Sequence, residues 1–250
     1  MPEISVVIIT LNEEKNIERC INSVQDLADE IVVVDSLSSD RTEDVCNRYN
    51  VRFIKHAFEG YIEQKNWALE QAKYPYVLSL DADEAISETL KESILSIKGN
   101  TEYDGYQFNR LTNYCGQWIR HSGWYPDRKL RLVDRRLARW TGINPHDRLE
   151  MKPGSRIKHL KGDLLHYSYY SISQHAAQAN NFSDITAMML HKKGRRSTIF
   201  NILVNPLVKF VRDYFINIGF LDGYYGYVIC NISAHATFLK YVKLRQIRRN

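Results

Sequence analysis

The chain has 250 residues, 44% hydrophobic and 25% charged, proportions that exclude intrinsic disorder and allow one large domain or a core domain with a smaller appended part. Lysine and arginine total 34 against 29 acidic residues, a net charge of +5, which is mild and does not by itself mark a nucleic-acid binder. The four cysteines, Cys20, Cys46, Cys115 and Cys230, form no C-x-x-C pair and no zinc-spaced cluster, so reduced structural thiols are expected. The first apolar run, Ile4 to Ile9, has no basic leader and is too short for a signal peptide, which predicts a buried strand and a cytosolic chain. Glu14 to Val24 sets Ile17, Cys20, Ile21 and Val24 at i, i+3, i+4, i+7, the spacing of a helix with one face on a sheet. The β-branched run Ile31 to Val34 then completes a βαβ unit. A helix from Asp40 or Arg41 to Tyr49, a strand Val51 to Ile54, a helix Tyr61 to Ala72 and a strand Tyr76 to Leu80 continue the alternation. This pattern predicts an α/β fold with a mostly parallel sheet, a class that binds ligands beyond the carboxyl ends of its strands.

After about Gly105 the alternation gives way to aromatic, strand-like pieces such as Tyr106 to Leu111 and Lys129 to Val133. From Ser173 the chain reads as helical, and Phe200, Val204, Leu207, Val211, Tyr214 and Ile218 predict one apolar stripe. Lys209, Arg212, Asp213, Asp222 and Lys240 interrupt this third of the chain, so no stretch reaches the ~20 apolar residues of a membrane span.

Three polar clusters fall at expected strand ends: Thr10-Leu11-Asn12-Glu13, Asp35-Ser36 and Asp81-Ala82-Asp83-Glu84. Singly, each has the ordinary explanation of a turn or helix cap. Together they outline one polar crevice. Asp81 and Asp83, one residue apart on extended backbone, can project toward one hard cation. A Mg²⁺ or Mn²⁺ ion held this way keeps positions open for phosphate oxygens, which points to a nucleotide-diphosphate substrate. Neither a G-x-x-x-x-G-K-[ST] loop nor a G-x-G-x-x-G fingerprint is present, which argues against a P-loop phosphotransferase or a dinucleotide-dependent dehydrogenase.

The segments VVIITLNEE (Val6 to Glu14), VVVDSLSSDRT (Val32 to Thr42), QKNWAL (Gln64 to Leu69) and SLDADE (Ser79 to Glu84) resemble, in order, inverting family 2 glycosyltransferases of the GT-A fold. That resemblance implies Thr10, Glu13, Asp35 and Lys65 at the nucleotide base and ribose, Asp81 at ribose or diphosphate, and Asp83 at the metal; Asn12 belongs to the same nucleotide-sugar set. GWYPDRKLRLV (Gly123 to Val133), RWTGINPHDRLE (Arg139 to Glu150) and GDLLHYSYYS (Gly162 to Ser171) look like a narrower group, the bacterial lipopolysaccharide-core β-1,4-glucosyltransferases. These relatives usually read His-Glu where this chain has His146-Asp147, a shorter carboxylate at the position expected to carry the base.

Inverting transfer needs a base on the acceptor hydroxyl and charge stabilisation on the departing diphosphate. Asp147 is the candidate base, and His146 could contact the metal or diphosphate; the alternative is that Asp147 merely pairs with Arg148 or another arginine. Trp124, Tyr125, Asp127 and Arg128 are acceptor-side candidates, because aromatic faces suit sugar rings and guanidinium forks suit acidic groups, with core packing the other reading of Trp124.

Three regions are expected: 1–105 binding the nucleotide sugar, 106–172 binding the acceptor and carrying the base, and 173–250 a helical part for membrane-surface or oligomer contact. HKKGRR (His191 to Arg196) holds four Lys and Arg residues, and Lys243, Arg245 and Arg248 follow. Beside an apolar helix these suit anionic lipid at the inner face of the cytoplasmic membrane, whereas a solvated face or a homo-oligomer contact is the plainer reading. The expected substrates are UDP-glucose and a lipid-linked oligosaccharide, with no nucleic acid. A sugar nucleotidyltransferase would open with a Gly-rich loop where this chain has TLNEE, and a catalytically silent GT-A-fold scaffold at the membrane is the non-enzyme alternative.

Overall fold

The structure is a computed structural model that describes residues 3–99, 102–143 and 146–247; the His146 side chain, Arg248 and Arg249 lie outside the described residues. The first half alternates as β1 (Ile4–Thr10), α1 (Ile17–Val24), β2 (Glu30–Asp35), α2 (Thr42–Cys46), β3 (Arg52–Lys55), α3 (Tyr61–Gln71) and β4 (Tyr76–Asp81). It continues through β5 (Glu84–Ile86), α4 (Glu88–Ile97), β6 (Gly105–Tyr114), β7 (Gln117–Ile119), β8 (Asp127–Asp134), β9 (Ala138–Ile143), β10 (His146–Met151) and β11 (Ile157–Tyr169). Three long helices close the chain, α5 (Ile172–Lys192), α6 (Ile199–Val211) and α7 (Gly223–Ile247).

The main sheet runs β3-β2-β1-β4-β8-β6-β11-β5, with β7 paired to β6. Its first four strands are parallel, and β8 returns antiparallel against β4. This is a Rossmann-like sheet followed by a helical C-terminal region. Strand β1 shows why it forms. Ile4, Val6 and Ile8 face one core cluster with Ile17, Cys20, Ile21 and Val24 of α1, while Val7 faces another with Ala68 and Leu69 of α3. A strand buried on both faces has little room for polar side chains, hence a run β-branched from Val6 to Thr10, with Ser5 buried through a 2.6 Å bond to Glu30. Burying each of its aliphatic side chains contributes roughly 1.5–3 kcal/mol relative to exposure.

Helix α1 begins three residues later than its apolar spacing predicts, because the preceding backbone is bound elsewhere. The Glu13 N–H donates to Thr42 Oγ1 at 2.9 Å and the Glu14 N–H to Asp40 Oδ2 at 3.1 Å. The helix foreseen to Tyr49 is only Thr42–Cys46.

The three consecutive regions expected from the sequence are not the compact units. One unit is Met1–Arg110 with Asp127–Tyr167, the other Leu111–Pro126 with Ser168–Asn250. The reason is strand insertion: β8 fills the place between β4 and β6, so most of the middle region completes the first unit's sheet. In the second unit Tyr114, Ile119 and Ile229 form a core with Trp124, Tyr169 and Tyr225. Asp222, buried, accepts from the N–H groups of Arg120 (3.1 Å) and His121 (2.9 Å), tying that loop to the start of α7.

The predicted stripe on α6 also breaks. The α-helix ends at Val211, a π-helical turn takes Arg212–Ile216, and Ile218 has a left-handed φ of 47°. Pro206 inside α6 removes one backbone donor. Beyond it the carboxylate of Asp213 is drawn inside, to Lys209 and Arg212, which shifts the phase of every later side chain.

Candidate active site

Parallel register fixes the crevice. Thr10 stands opposite Asp35 and Ile9 opposite Asp81, so the ends of β1, β2 and β4 share one edge. The chain leaves β1 toward β2 on one side and returns to β4 on the other, the switch point where open α/β sheets bind ligands. Thr10 is buried with its hydroxyl unpartnered among the described residues. Asp35 is buried and accepts from the Ser38 N–H at 2.8 Å and from the Ser38 hydroxyl. Asn12 adopts φ 55° and accepts from the Ser39 N–H at 2.8 Å, stitching the loop after β1 to the loop after β2. Glu13 accepts from Asn16 Nδ2 at 2.7 Å; burial, which outweighs that bond, and the nearby Asp83, Asp40 and Asp81 raise its carboxyl above the usual range.

The centre of the crevice is a chain of charges. Lys65 on α3 is buried, with Nζ 3.0 Å from Asp81 Oδ1 and 2.8 Å from Asp147 Oδ2. Arg131, in the middle of β8, donates through Nη2 to Glu84 Oε1 at 2.8 Å and to Asp81 Oδ2 at 3.3 Å. Burial opposes charge on Asp81, but Lys65 and Arg131 outweigh it and hold the carboxyl well below the usual carboxylate range. The alternative that Asp147 pairs with Arg148 is not what the structure shows: Arg148 Nε lies 2.6 Å from Glu150, and Asp147 faces Lys65.

Hairpin β9–β10 brings Asp147 there through a clamp. Asn66, next to Lys65, donates to the Trp140 carbonyl at 2.9 Å and accepts from the Trp140 N–H at 3.0 Å. The Trp140 ring lies under both cations, 4.4 Å from Lys65 Nζ and 5.1 Å from Arg131 Cζ.

Several buried donors in this cluster have no partner among the described residues: Nε and Nη1 of Arg131, Nε1 of Trp140 and Nδ1 of His166. Arg131 thus keeps two buried guanidinium donors in reserve beside the carboxylates, and such donors favour an anion.

Asp83 is 3.1 Å from Nε2 of His166, which arrives on β11 opposite Glu84. The Tyr167 N–H donates to the Asp83 carbonyl at 2.9 Å, fixing that approach. A divalent ion fits Asp83 and His166, one carboxylate and one imidazole, better than the Asp81–Asp83 pair, because Asp81 is already neutralised by two cations. Among the described residues no three His, Cys, Asp or Glu side chains gather into a metal cage, so oxygen donors from a ligand would have to complete the coordination.

The acceptor-side candidates do not come together in one unit. Trp124 packs edge-on to Tyr114 at 5.9 Å and beside Tyr169 and His175, and Tyr125 lies 5.8 Å from Arg120, all in the helical unit. Asp127 pairs with Arg110 (2.8 Å) and Lys129 (3.0 Å), and Arg128 is exposed, in the α/β unit. All four cysteines are free; burial pushes the Cys46 thiol up to about 12, far from a nucleophile's range.

Sequence reading missed Arg131, His166, Asn66 and Trp140. Only Arg131 left a signal, a charge set between Leu130 and Leu132 in a strand otherwise apolar at its end.

Aligned polar strand ends at a parallel switch point, joined by a buried network of carboxylates and cations, mark a ligand-binding α/β protein. Residues 5–161 match glycosyl transferase family 2, and the chain belongs to that family. It is therefore a glycosyltransferase, an enzyme that takes a sugar from a nucleotide-sugar donor. An uncharacterized glycosyltransferase of Rickettsia typhi is 33% identical across 99% of this chain and 88% of its own length. The lipopolysaccharide core biosynthesis glycosyltransferase LpsC of Rhizobium meliloti is 28% identical across 97% of this chain and 92% of its own. Among solved structures, S. aureus TarS is similar over 98% of this chain and 55% of its own, at 18% identity and a TM-score of 0.49.

Proposed function

We propose that the protein is an inverting GT-A enzyme that moves a hexose, glucose, from a UDP-sugar to a lipopolysaccharide-core or other lipid-linked saccharide at the inner face of the cytoplasmic membrane. The observation that carries this reading is the charge chain Asp147–Lys65–Asp81–Arg131, which sets one carboxylate and unpaired guanidinium donors in the same crevice. The Arg131 donors suit the diphosphate of the donor, and Thr10, Glu13 and Asp35 at the strand ends suit its nucleoside. Mg²⁺ or Mn²⁺, bound by Asp83 and His166, would neutralise charge on the leaving diphosphate. Asp147 takes the proton of the acceptor hydroxyl as that oxygen attacks the anomeric carbon from the face opposite the nucleotide. Lys65 holds Asp147 in place at 2.8 Å, and an incoming diphosphate competes for the same ammonium, which loosens that hold when donor is present. The likeness to LpsC supports the choice of acceptor.

The test is a screen of purified protein with Mn²⁺ against several nucleotide sugars, reading released nucleotide diphosphate and transfer to a core-saccharide acceptor. Asp147→Asn should lower transfer by roughly 100-fold or more with donor affinity nearly unchanged. Asp83→Ala should abolish the metal-stimulated reaction. Full activity of Asp83→Ala in chelator would overturn the metal's role, and normal transfer by Asp147→Asn would move the base to another carboxylate.

A further inference from the structure

The helical unit carries a surface for which the crevice chemistry has no use. Between Ile185 and Ile247 only two acidic residues occur, Asp213 and Asp222, and both are buried. Over the same stretch Lys192, Lys193, Arg195 and Arg196 are exposed, and none is in an ion pair among the described residues. The exposed acid beside this stretch, Asp184, is taken up by Lys243 at 2.7 Å, so the four cations of 192–196 stay without a carboxylate partner among the described residues.

The basic segment leads straight into Thr198, the cap of α6. On that helix Ile199, Phe200, Leu203, Leu207 and Val208 are 56–67% exposed, and the apolar surface continues to Ile216 at 72%. More than half of the large apolar side chains exposed among the described residues fall between Ile199 and Tyr227. Apolar surface of this extent marks a docking face.

Charge selects the occupant. A second copy would bring the same unanswered cations against themselves, whereas a bilayer with anionic headgroups complements both the apolar side chains and the cations. Spanning is not the mode: among the described residues no helix is long and apolar enough to cross a membrane, and α6 has 13 residues with Pro206 inside. We infer that α6, the turns that follow it and the 192–196 segment form a membrane-surface docking face, with α6 lying in the interface plane and the four cations on lipid phosphates. This gives the membrane-facing reading above its residues, while the binding itself does not depend on the sugar chemistry.

Co-sedimentation with vesicles tests it, using phosphatidylcholine alone and phosphatidylcholine mixed with phosphatidylglycerol. The wild-type chain should pellet with the mixed vesicles at low salt, be released at high salt, and be poorly retained by the neutral ones. Arg195→Ala with Arg196→Ala should lower the partition coefficient by on the order of 25-fold, about fivefold per cation. Phe200→Ser with Leu207→Ser should lose retention on both vesicle types. These positions are exposed, and nucleotide release from the donor without lipid should match wild type, confirming that the variants fold. Unchanged partition in both double variants would overturn the inference. So would a dimer in solution, by light scattering, that Phe200→Ser with Leu207→Ser splits while no vesicle is bound. If wild type releases no nucleotide yet binds anionic vesicles, the transferase reading fails and this one stands.

Discussion

In the α/β unit Lys65, Glu84 and Arg131 are withdrawn from water, whereas in the helical unit Phe200, Leu203, Leu207 and Ile216 stand in it. Each unit breaks the usual partition of charge and oil in the opposite direction. The first can do so because its buried charges are paired, cation to carboxylate, along one chain of contacts. The second has no such compensation within itself, so its exposed apolar face calls for something outside the chain. Departures of both kinds mark where a protein does more than hold itself together.

The strongest way to break the comparison is to strip one partner from the buried network. Arg131→Met leaves Glu84, fully buried, and Asp81 without their guanidinium, and stability should drop by about 3–5 kcal/mol in denaturant melts. A loss within about 0.5 kcal/mol would mean that the network contributes nothing net and that Arg131 serves ligand binding alone.

A smaller effect separates the units by pH. His175 in the helical unit is buried beside Tyr114, whose hydroxyl lies 3.0 Å from Nδ1, and burial lowers it from its ordinary 6.5 to about 4. The unfolded chain therefore binds a proton that the folded chain refuses. Stability on this account is intact above pH 6.5 and falls as pH drops toward 4, by roughly 3 kcal/mol across the window. Melting temperature against pH, compared between wild type and His175→Gln, checks it: the difference should grow below pH 6.5, and parallel curves would refute it.

The smallest effect concerns a single cap. Ser171 and Gln174 form a reciprocal capping box at the start of α5. Ser171→Ala should cost about 1 kcal/mol, read in the same denaturant melts, and leave Arg131-dependent stability untouched.

The parallel half was legible because its rules are local. A short, mostly β-branched run such as Ile4 to Ile9 reads as a doubly buried strand, and the βαβ alternation then sets the polar residues after each run at one sheet edge. Thr10, Asp35 and Asp81 were placed by that logic, and the register confirms their alignment. Arg131 and His166 were not. They reach the crevice on strands distant in the chain, β8 and β11, whose places beside β4 and β5 depend on antiparallel insertion. Trp124 shows the converse: an aromatic suited to a sugar ring is equally suited to a core, and only the fold shows it half-buried against Tyr114 and Tyr169.

The sequence by itself determined the βαβ half, the polar edge of its sheet and, through the four motifs of its first 84 residues, the family. Periodicity and turn chemistry act over a few residues, and they suffice for that. Only the tertiary structure decided that Lys65 joins Asp81 to Asp147, that Asn66 clamps the hairpin bearing Asp147, and that Asp83 has His166 for a neighbour. It also decided which acidic residues of the C-terminal part are hidden, and hence that its surface is positive. These are long-range pairings, and whether a charge is buried or exposed is set by what folds over it, not by the residues beside it in the chain.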